Sequence, residues 1–214
     1  LLACLPLGAV NADGAPASTT SPRDVISQAI DQMTQSINQN RDRLNKDPSY
    51  ANQLVAQKLE GLVDFKRITR LVMGPWFDKA TRDQKYRFLG VFKQSLIDTY
   101  ASGVTLYTGQ KITVLPLRDG DVQGDRAFVR MEMTTGHGNQ IPVSYTMILN
   151  NGQWQVENVI VNGLNLGKTF QDQFAQTATT YNGDLDQVIA HWAEQLKASQ
   201  GLNKPADAAS QPAK

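Results

Sequence analysis

The sequence predicts an α+β protein in which helices lie on one curved antiparallel sheet. Its 214 residues divide into blocks: apolar residues recur at helical spacing over about 22–102 and 164–198, and they alternate with a period of two over 103–163. The turns between the predicted strands are short, which is typical of an antiparallel meander. An order of α, then β, then α favours helices packed against a single antiparallel sheet.

The first block is predicted to contain four helices. Pro22 suits a first helical position with Ser21 as its N-cap, and Thr81–Gln84 has the sequence of a capping box at the start of the longest helix. The apolar face of that longest helix is wide enough to be buried on more than one side. The four predicted helices span about 22–37, 51–63, 64–74 and 81–101.

The second block is predicted to form five strands, and the third block two helices. Segments rich in Asp, Asn and Gly separate the strands. The strands are predicted over about 104–107, 111–117, 126–135, 141–149 and 153–161, and the helices over 166–179 and 185–198. Residues 119–125 have the Asp and Gly spacing of a calcium loop, but Arg130 stands where a bidentate Glu is required. We therefore predict a solvated hairpin turn there.

Both ends of the chain are low in sequence complexity. Residues 1–12 hold a short apolar run and then small residues at the spacing that a signal peptidase prefers, so we interpret them as a signal-peptide remnant. Cys4 also fits a lipoprotein box, and whether it is ever lipidated stays open. Residues 13–21 and 199–214 are predicted to be flexible, which leaves 22–198 as the folded domain. An exported chain of this size without disulfides indicates a bacterial periplasm.

Charge and motifs exclude several classes of function. The chain has 21 Lys and Arg against 20 Asp and Glu, a balance that argues against a nucleic-acid-binding protein. No nucleophile elbow, phosphate-binding Gly loop or dinucleotide fingerprint occurs. His137 and His191 have no partners with metal-ligand spacing, so neither a metal nor a cofactor is expected. The apolar sheet face carries no carboxylate for a general base, and we therefore do not expect an enzyme.

One face of the predicted sheet is apolar. Its residues alternate along two adjacent strands, Ala127, Val129, Met131 and Met133 on the first and Ile141, Val143, Tyr145, Met147 and Leu149 on the second. Unbranched Met side chains adapt to irregular ligands such as acyl chains, but an apolar face is also what an ordinary core presents. The alternation leaves open whether the space above this face is filled or hollow.

The second half of the helical block contains a basic stretch. Between residues 66 and 93 there are eight cationic residues against Asp78 and Asp83, namely Lys66, Arg67, Arg70, Lys79, Arg82, Lys85, Arg87 and Lys93. Such a stretch is typical of solvated helix faces. It also fits a rim that docks acidic partners or lies near anionic lipid head groups.

Several segments, in order along the chain, resemble those of the Mla-type periplasmic phospholipid carriers, also called the toluene-tolerance family. Residues 62–76 resemble the family's helix followed by Gly, one further residue and Trp. The other matching segments are the Phe88, Phe92, Leu96 and Tyr100 series, residues 107–112, 142–145, 154–156 and 162–166, then Phe174 and Asp184-Leu185. The resemblance covers about 22–198. Asn158, Asn162 and Asn165 depart from the family pattern of acidic residues and Ser.

The resemblance implies a curved sheet of the nuclear-transport-factor type, a cone closed by helices around an apolar cavity. It also implies a monomeric periplasmic carrier that shuttles glycerophospholipid to maintain outer-membrane lipid asymmetry, with the acyl tails inside and the head group at the mouth. Two docking partners are implied, an outer-membrane lipoprotein–porin complex and the lipid-binding subunit of an inner-membrane ABC transporter. The number of lipids held, the head-group preference and the direction of transport stay open.

For such a carrier we expect lipid contacts on the sheet, on the longest helix and near the mouth. The predicted contacts are Leu71, Val72, Phe92, Leu96, Tyr100, Val129, Met131, Met133, Val143, Tyr145, Met147 and Leu164. Replacing Leu164 or Met147 with Glu is expected to leave a folded protein without lipid. Two alternatives stay open: an isomerase- or dehydratase-type enzyme on the same cone, and a protein-docking adaptor with a filled core.

Overall fold

The computed structural model describes residues 20–136 and 138–201. The predicted signal-peptide remnant with Cys4, most of segment 13–21, His137 and the predicted tail beyond residue 201 lie outside the described residues. Within these ranges, helices precede and follow a six-stranded antiparallel sheet, so the predicted α+β class is confirmed. No helix of the described ranges has both the length and the apolar character that a bilayer-spanning segment requires.

Six helices precede the sheet: α1 (Pro22–Gln39), α2 (Arg41–Lys46), α3 (Pro48–Leu59), α4 (Phe65–Met73), α5 (Trp76–Lys79) and α6 (Arg82–Thr105). Their starts follow from local capping. The Asp47 side chain accepts hydrogen bonds from two backbone N–H groups of α3, and the Asp64 side chain accepts one from the Arg67 N–H in α4. The predicted Thr81–Gln84 capping box forms with both of its reciprocal bonds.

The predicted strand over residues 104–107 is wrong, because α6 continues through this segment to Thr105. Ile97, Ala101 and Val104 recur at the spacing of one helix face, and all three are buried against α2 and α3. A short β-branched segment has a local preference for strand, but burying Val104 in this helical cluster overrides it.

The sheet contains β1 (Lys111–Val114), β2 (Val122–Gln123), β3 (Arg126–Thr134), β4 (Gln140–Asn150), β5 (Gln153–Val161) and β6 (Leu164–Asn165), followed by α7 (Leu166–Thr180) and α8 (Leu185–Gly201). Its strand order is β1-β3-β4-β5-β6, and β2 pairs with β3. The turns 151–152 and 162–163 are both Asn-Gly with positive φ at both residues, the geometry that two-residue hairpins favour. The prediction placed β3, β4 and β5 to within one residue at each end.

The strand register confirms that the predicted apolar residues share one face. Val129 lies opposite Tyr145, and Met131 lies opposite Val143. Directly opposed residues of an antiparallel pair point to the same side of the sheet. The pattern of alternation therefore continues across β3 and β4 as expected.

The hydrophobic core consists of three clusters. The first packs α4, α6, α7 and α8 around aromatic rings that include Phe88, Phe174 and Trp192. The second joins α1, α2 and α3 to the carboxyl-terminal half of α6, and the third holds α1 against β3, β4 and β5. Because α6 takes part in two of the clusters, the expectation that it is buried on more than one side is confirmed.

The 119–125 segment forms a largely exposed hairpin as predicted, but Asp121 within it is paired rather than solvated. β2 and β3 pair through Val122 with Ala127, and the Asp121 carboxylate bonds the Arg130 guanidinium, with 10% of the Asp121 side chain exposed. The Arg130 guanidinium holds the pKa of Asp121 below its usual value. This ion pair pins the hairpin to the polar face of β3.

Truncating Phe88 to Ala is expected to lower the free energy of unfolding by about 3–5 kcal/mol. Phe88 is fully buried, and its ring lies 4.8 Å from that of Phe174 and 5.3 Å from that of Trp192 between centroids. Tyr86→Ala on the same helix is the control, since Tyr86 is 56% exposed, and it should change stability by less than about 0.5 kcal/mol. Urea denaturation measures both; equal losses would contradict this description of the core.

Candidate functional site

An apolar cavity of about 380 Å³ lies between the helices and one face of the sheet. This volume falls within the roughly 300–1,000 Å³ of small-molecule sites. The polar side chains on its wall are Thr34, Tyr100, Tyr107, Tyr145, Glu157 and Asn158, and the remaining lining residues are apolar or glycine. The sequence did not decide whether the space above the apolar sheet face is filled or hollow. The structure contains a cavity there.

Several elements form the wall of the cavity. α6 contributes Phe92, Leu96, Tyr100, Gly103 and Val104, and the sheet contributes Ile112, Met131, Met133, Tyr145 and residues 156–159. α4 adds Phe65 and Ile68, and α7 adds Leu166, Gly167 and Phe170. The spacing of four between Phe92, Leu96 and Tyr100 places them on one stripe of α6, which is why one helix can line much of the cavity.

The sequence analysis missed the contribution of α1. Ile26, Ala29, Ile30, Met33, Thr34 and Ile37 from this helix all line the cavity. Their i, i+3, i+4, i+7 spacing was visible in the sequence, but the same spacing fits a helix whose apolar face is fully packed. The sequence therefore predicted the helix itself, but nothing in it indicated that this helix lines a cavity.

Half of the predicted site residues lie on the cavity wall. These six are Phe92, Leu96, Tyr100, Met131, Met133 and Tyr145. They come from α6, β3 and β4, so the structure brings together residues that are separated by up to about 50 positions in the sequence. Their contact with a ligand stays a prediction.

The other six predicted site residues lie elsewhere. Val129 and Met147 are fully buried in the cluster that holds α1 against the sheet, and Val143 is buried on the same sheet face without reaching the wall. Val72 is buried in the cluster of α4, α6, α7 and α8. Leu71 and Leu164 are 46% and 52% exposed. The sheet face is thus divided: some of its residues pack in the cluster with α1, and others line the cavity.

Because of this division, the Glu substitutions predicted from the sequence at Met147 and Leu164 are expected to have other effects than loss of lipid from a folded protein. A Glu at Met147 would place a carboxylate among fully packed side chains, where it would destabilise the fold. A Glu at Leu164 would extend from an exposed position away from the cavity wall. Neither substitution is a test of the cavity.

Two phenols from different elements face the cavity. Burial raises the pKa of both Tyr100 and Tyr145, and the proximity of Tyr100 raises the Tyr145 pKa further. Tyr100 lines the cavity, and 43% of its surface is accessible. Both hydroxyls therefore stay protonated at neutral pH and can donate hydrogen bonds.

A carboxylate also lies on the wall, contrary to the expectation that the apolar face carries none. Thr146 pairs with Asn158 and Met147 with Val156, so Glu157 is the extra residue of a β-bulge in β5. Only 5% of Glu157 is exposed, and its carboxylate bonds Arg67 of α4 and, at 3.0 Å, Arg126 of β3. Both partners are arginines, and we interpret this ion-paired carboxylate as structural.

The Asn residues that depart from the family pattern retain structural roles. Asn158 lines the cavity and accepts a hydrogen bond from the Gly167 N–H at 3.0 Å. A Cβ at Gly167 would lie 2.6 Å from the Asn158 Oδ1, so a larger residue there would displace the Asn158 side chain from this hydrogen bond. Asn165 caps α7 by accepting from the Lys168 N–H at 3.0 Å.

Metal-ligand clusters are absent from the described part of the chain, where no three His, Cys, Asp or Glu side chains converge. His191 instead stacks on the Tyr181 ring, with centroids 5.3 Å apart, and lies 3.5 Å from the Glu194 carboxylate on the exposed side of α8. This arrangement is consistent with a surface or packing role for His191.

The basic stretch is divided between two kinds of contact. Arg67, Arg87 and Lys93 each pair with a carboxylate. Arg70 and Lys85 lie over the Phe77 ring, and other cations lie over aromatic rings of α5 and α6. Cation–π contacts hold the side chains of the second group along the protein surface.

Comparisons with known proteins agree on one family. The family model described as MlaC protein matches residues 27–194. The toluene tolerance protein Ttg2D of Pseudomonas putida is 36% identical over 205 residues, which cover 95% of this chain and 91% of that protein. The MlaC binding protein of an intermembrane phospholipid transport system in Haemophilus influenzae is 23% identical over 152 residues, 69% of this chain and 70% of that protein.

A solved structure has the same fold. The phospholipid-binding protein of Ralstonia solanacearum, determined in complex with a phospholipid, superposes with a TM-score of 0.75 at 24% identity. The match covers 85% of this chain and 99% of the other chain. At this identity the likeness concerns the fold, and it agrees with the predicted curved sheet and surrounding helices.

Replacing Arg67 with Met is expected to lower the free energy of unfolding by about 1–2 kcal/mol, because the buried Glu157 carboxylate keeps only Arg126 as its partner. Lys66→Met, one residue earlier on the exposed side of α4, should stay within about 0.5 kcal/mol of the parent. Chemical denaturation of the two variants gives the comparison. An Arg67 variant as stable as the Lys66 variant would contradict a structural role for the ion pair.

Proposed function

The chain belongs to the MlaC protein family, and we propose that it is a periplasmic carrier that moves glycerophospholipid between membranes and thereby maintains outer-membrane lipid asymmetry. The observation that supports this most directly is the hollow, almost wholly apolar cavity of about 380 Å³. A packed core of the same composition would have left no space for a ligand. The acyl chains occupy the cavity, and the head group stays at its mouth.

The energetics of such a cavity suit a carrier. Burying a methylene group stabilises by about 0.8 kcal/mol relative to water, so two long acyl chains gain on the order of 20 kcal/mol. The same chains are already buried in the bilayer from which they are extracted, so the two gains nearly cancel. A small net free energy allows the lipid to be both taken up and released.

The tail contacts of this proposal come from the sheet, α6 and α1. Six of the residues expected from the sequence contribute, Phe92, Leu96, Tyr100, Met131, Met133 and Tyr145, and α1 adds the apolar side chains that the sequence analysis did not assign. No catalytic step forms part of the proposal. Glu157, the acidic residue on the described wall, already bonds two arginines and so is poorly suited to act as a general base.

Location and partners complete the proposal. Residues 1–12 act as the end of a signal peptide that directs export, and residues 22–198 form one carrier domain. The lipid passes between an outer-membrane lipoprotein–porin complex and the lipid-binding subunit of an inner-membrane ABC transporter. Family membership supports this pairing, since the Haemophilus influenzae relative is named as part of an intermembrane phospholipid transport system.

Native mass spectrometry of protein purified without detergent tests the proposed function. A mass excess equal to one or more whole phospholipids, lost on denaturation and recovered by lipid extraction, supports the carrier and counts its cargo. The mass of the bare chain alone, even after incubation with phospholipid vesicles, would refute it.

Replacing Leu96 with Glu is expected to lower the fraction of lipid-bound protein at least about tenfold, because it places an unpaired carboxylate against the acyl chains. Leu164→Glu is the matched control, since Leu164 is 52% exposed and lies off the wall, and it should retain the parental lipid content. Native mass spectrometry measures occupancy, and far-UV circular dichroism checks that both variants fold. Equal lipid content in the two variants would contradict the assigned cavity.

A further inference from the structure

We propose that the hydroxyl groups of Tyr100 and Tyr145 donate hydrogen bonds to the ester carbonyl oxygens of a bound phospholipid and so set how deeply its acyl chains enter the cavity. This inference rests on the proposed function and adds a positioning site to it. Hydrocarbon tails contain no hydrogen-bond acceptor, so an apolar cavity needs no phenols to hold them. The two hydroxyls therefore indicate a polar atom of the ligand.

The two phenols lie on different elements of the same cavity wall. Tyr100 lies on α6, one turn beyond Leu96, and Tyr145 lies in β4 between Val129 of β3 and Val159 of β5. The proximity of Tyr100 contributes to the raised pKa of Tyr145. Both side chains line one cavity, so a single bound lipid can contact the two of them.

The hydrogen bonds of the protein do not satisfy either hydroxyl. The Tyr145 hydroxyl donates to the Met131 sulfur at 3.7 Å, and a thioether is a weak acceptor. Among residues 20–136 and 138–201, no atom forms a hydrogen bond with the Tyr100 hydroxyl. An acceptor on a ligand in the cavity would therefore add hydrogen bonds that these hydroxyls do not make within the described protein.

A third tyrosine of the same wall supplies the contrast. The Tyr107 hydroxyl donates to the Gln110 carbonyl oxygen at 3.3 Å, so its hydrogen bond is made within the protein. Tyr107 therefore lines the cavity with a satisfied hydroxyl, whereas Tyr100 and Tyr145 line it with available ones. The difference makes Tyr107→Phe a control for removing a phenol oxygen from this wall.

The ester carbonyl is the acceptor that best fits this position. It is neutral and lies at the junction between the acyl chain and the glycerol group. A phosphate group could accept the same bonds, but moving its charge into an apolar cavity without a cation is strongly unfavourable. None of the described residues that line the cavity is a Lys or an Arg.

The test compares ester-linked with ether-linked lipid. The protein is incubated with vesicles of equimolar diester and diether phosphatidylcholine of the same chain length, and native mass spectrometry measures the bound ratio. The parent protein is expected to favour the diester about three- to tenfold, the preference that corresponds to one hydrogen bond. The double variant Tyr100→Phe with Tyr145→Phe should bind both lipids at a ratio near one, while Tyr107→Phe keeps the parental ratio.

Three outcomes would overturn the inference while leaving the carrier in place: a ratio near one in the parent, an unchanged ratio in the double variant, or an equal loss of preference in Tyr107→Phe. Binding of neither lipid by the parent would refute the proposed function itself, and the inference with it. If the double variant does not fold, Tyr100→Phe alone should still reduce the preference, since the Tyr100 hydroxyl makes no bond within the described protein.

Discussion

Hydrophobic packing around the cavity, rather than through it, is the constraint on which this structure depends. Three clusters supply the stability, and α6 links two of them: Phe88 and Phe92 pack in one cluster, and Ile97 and Ala101 pack in another. Leu96, on the stripe between them, lines the cavity. Because a continuous 24-residue helix is rigid over this length, it can hold the walls apart without filling the space between them.

Ion pairs and a backbone bridge hold α4 beside the cavity. The bulge at Glu157 directs a buried carboxylate between Arg67 on α4 and Arg126 on β3, and the Val63–Val156 bridge pairs the preceding loop with β5. Two other residues of α4, Phe65 and Ile68, form part of the cavity wall. An ion pair of this kind contributes geometry more than net stability, since desolvation offsets much of its attraction.

The proposed carrier divides its tasks between apolar and polar groups on the wall. The apolar groups match the environment that acyl chains have in a bilayer, so they contribute little net preference between membrane and protein. Phenols whose hydrogen bonds the protein does not satisfy distinguish one position of the lipid from another. Small differences of this kind are sufficient where transfer has to remain reversible.

The sequence by itself determined the class of the longer helices and strands, because periods of 3.6 and 2 are typical of helices and half-buried strands. It also determined which residues of β3 and β4 share a face, and the resemblance over about 22–198 indicated the family. Only the tertiary structure decided that Met131 lines a hollow while Val129, two residues earlier on the same face, lies in packed core. It also decided that Glu157 enters the wall through a bulge, and that α6 rather than a strand occupies residue 104. Each of these features depends on how elements that are distant in the sequence pack against one another. The alternation of residues along one strand does not indicate how closely another element approaches that strand.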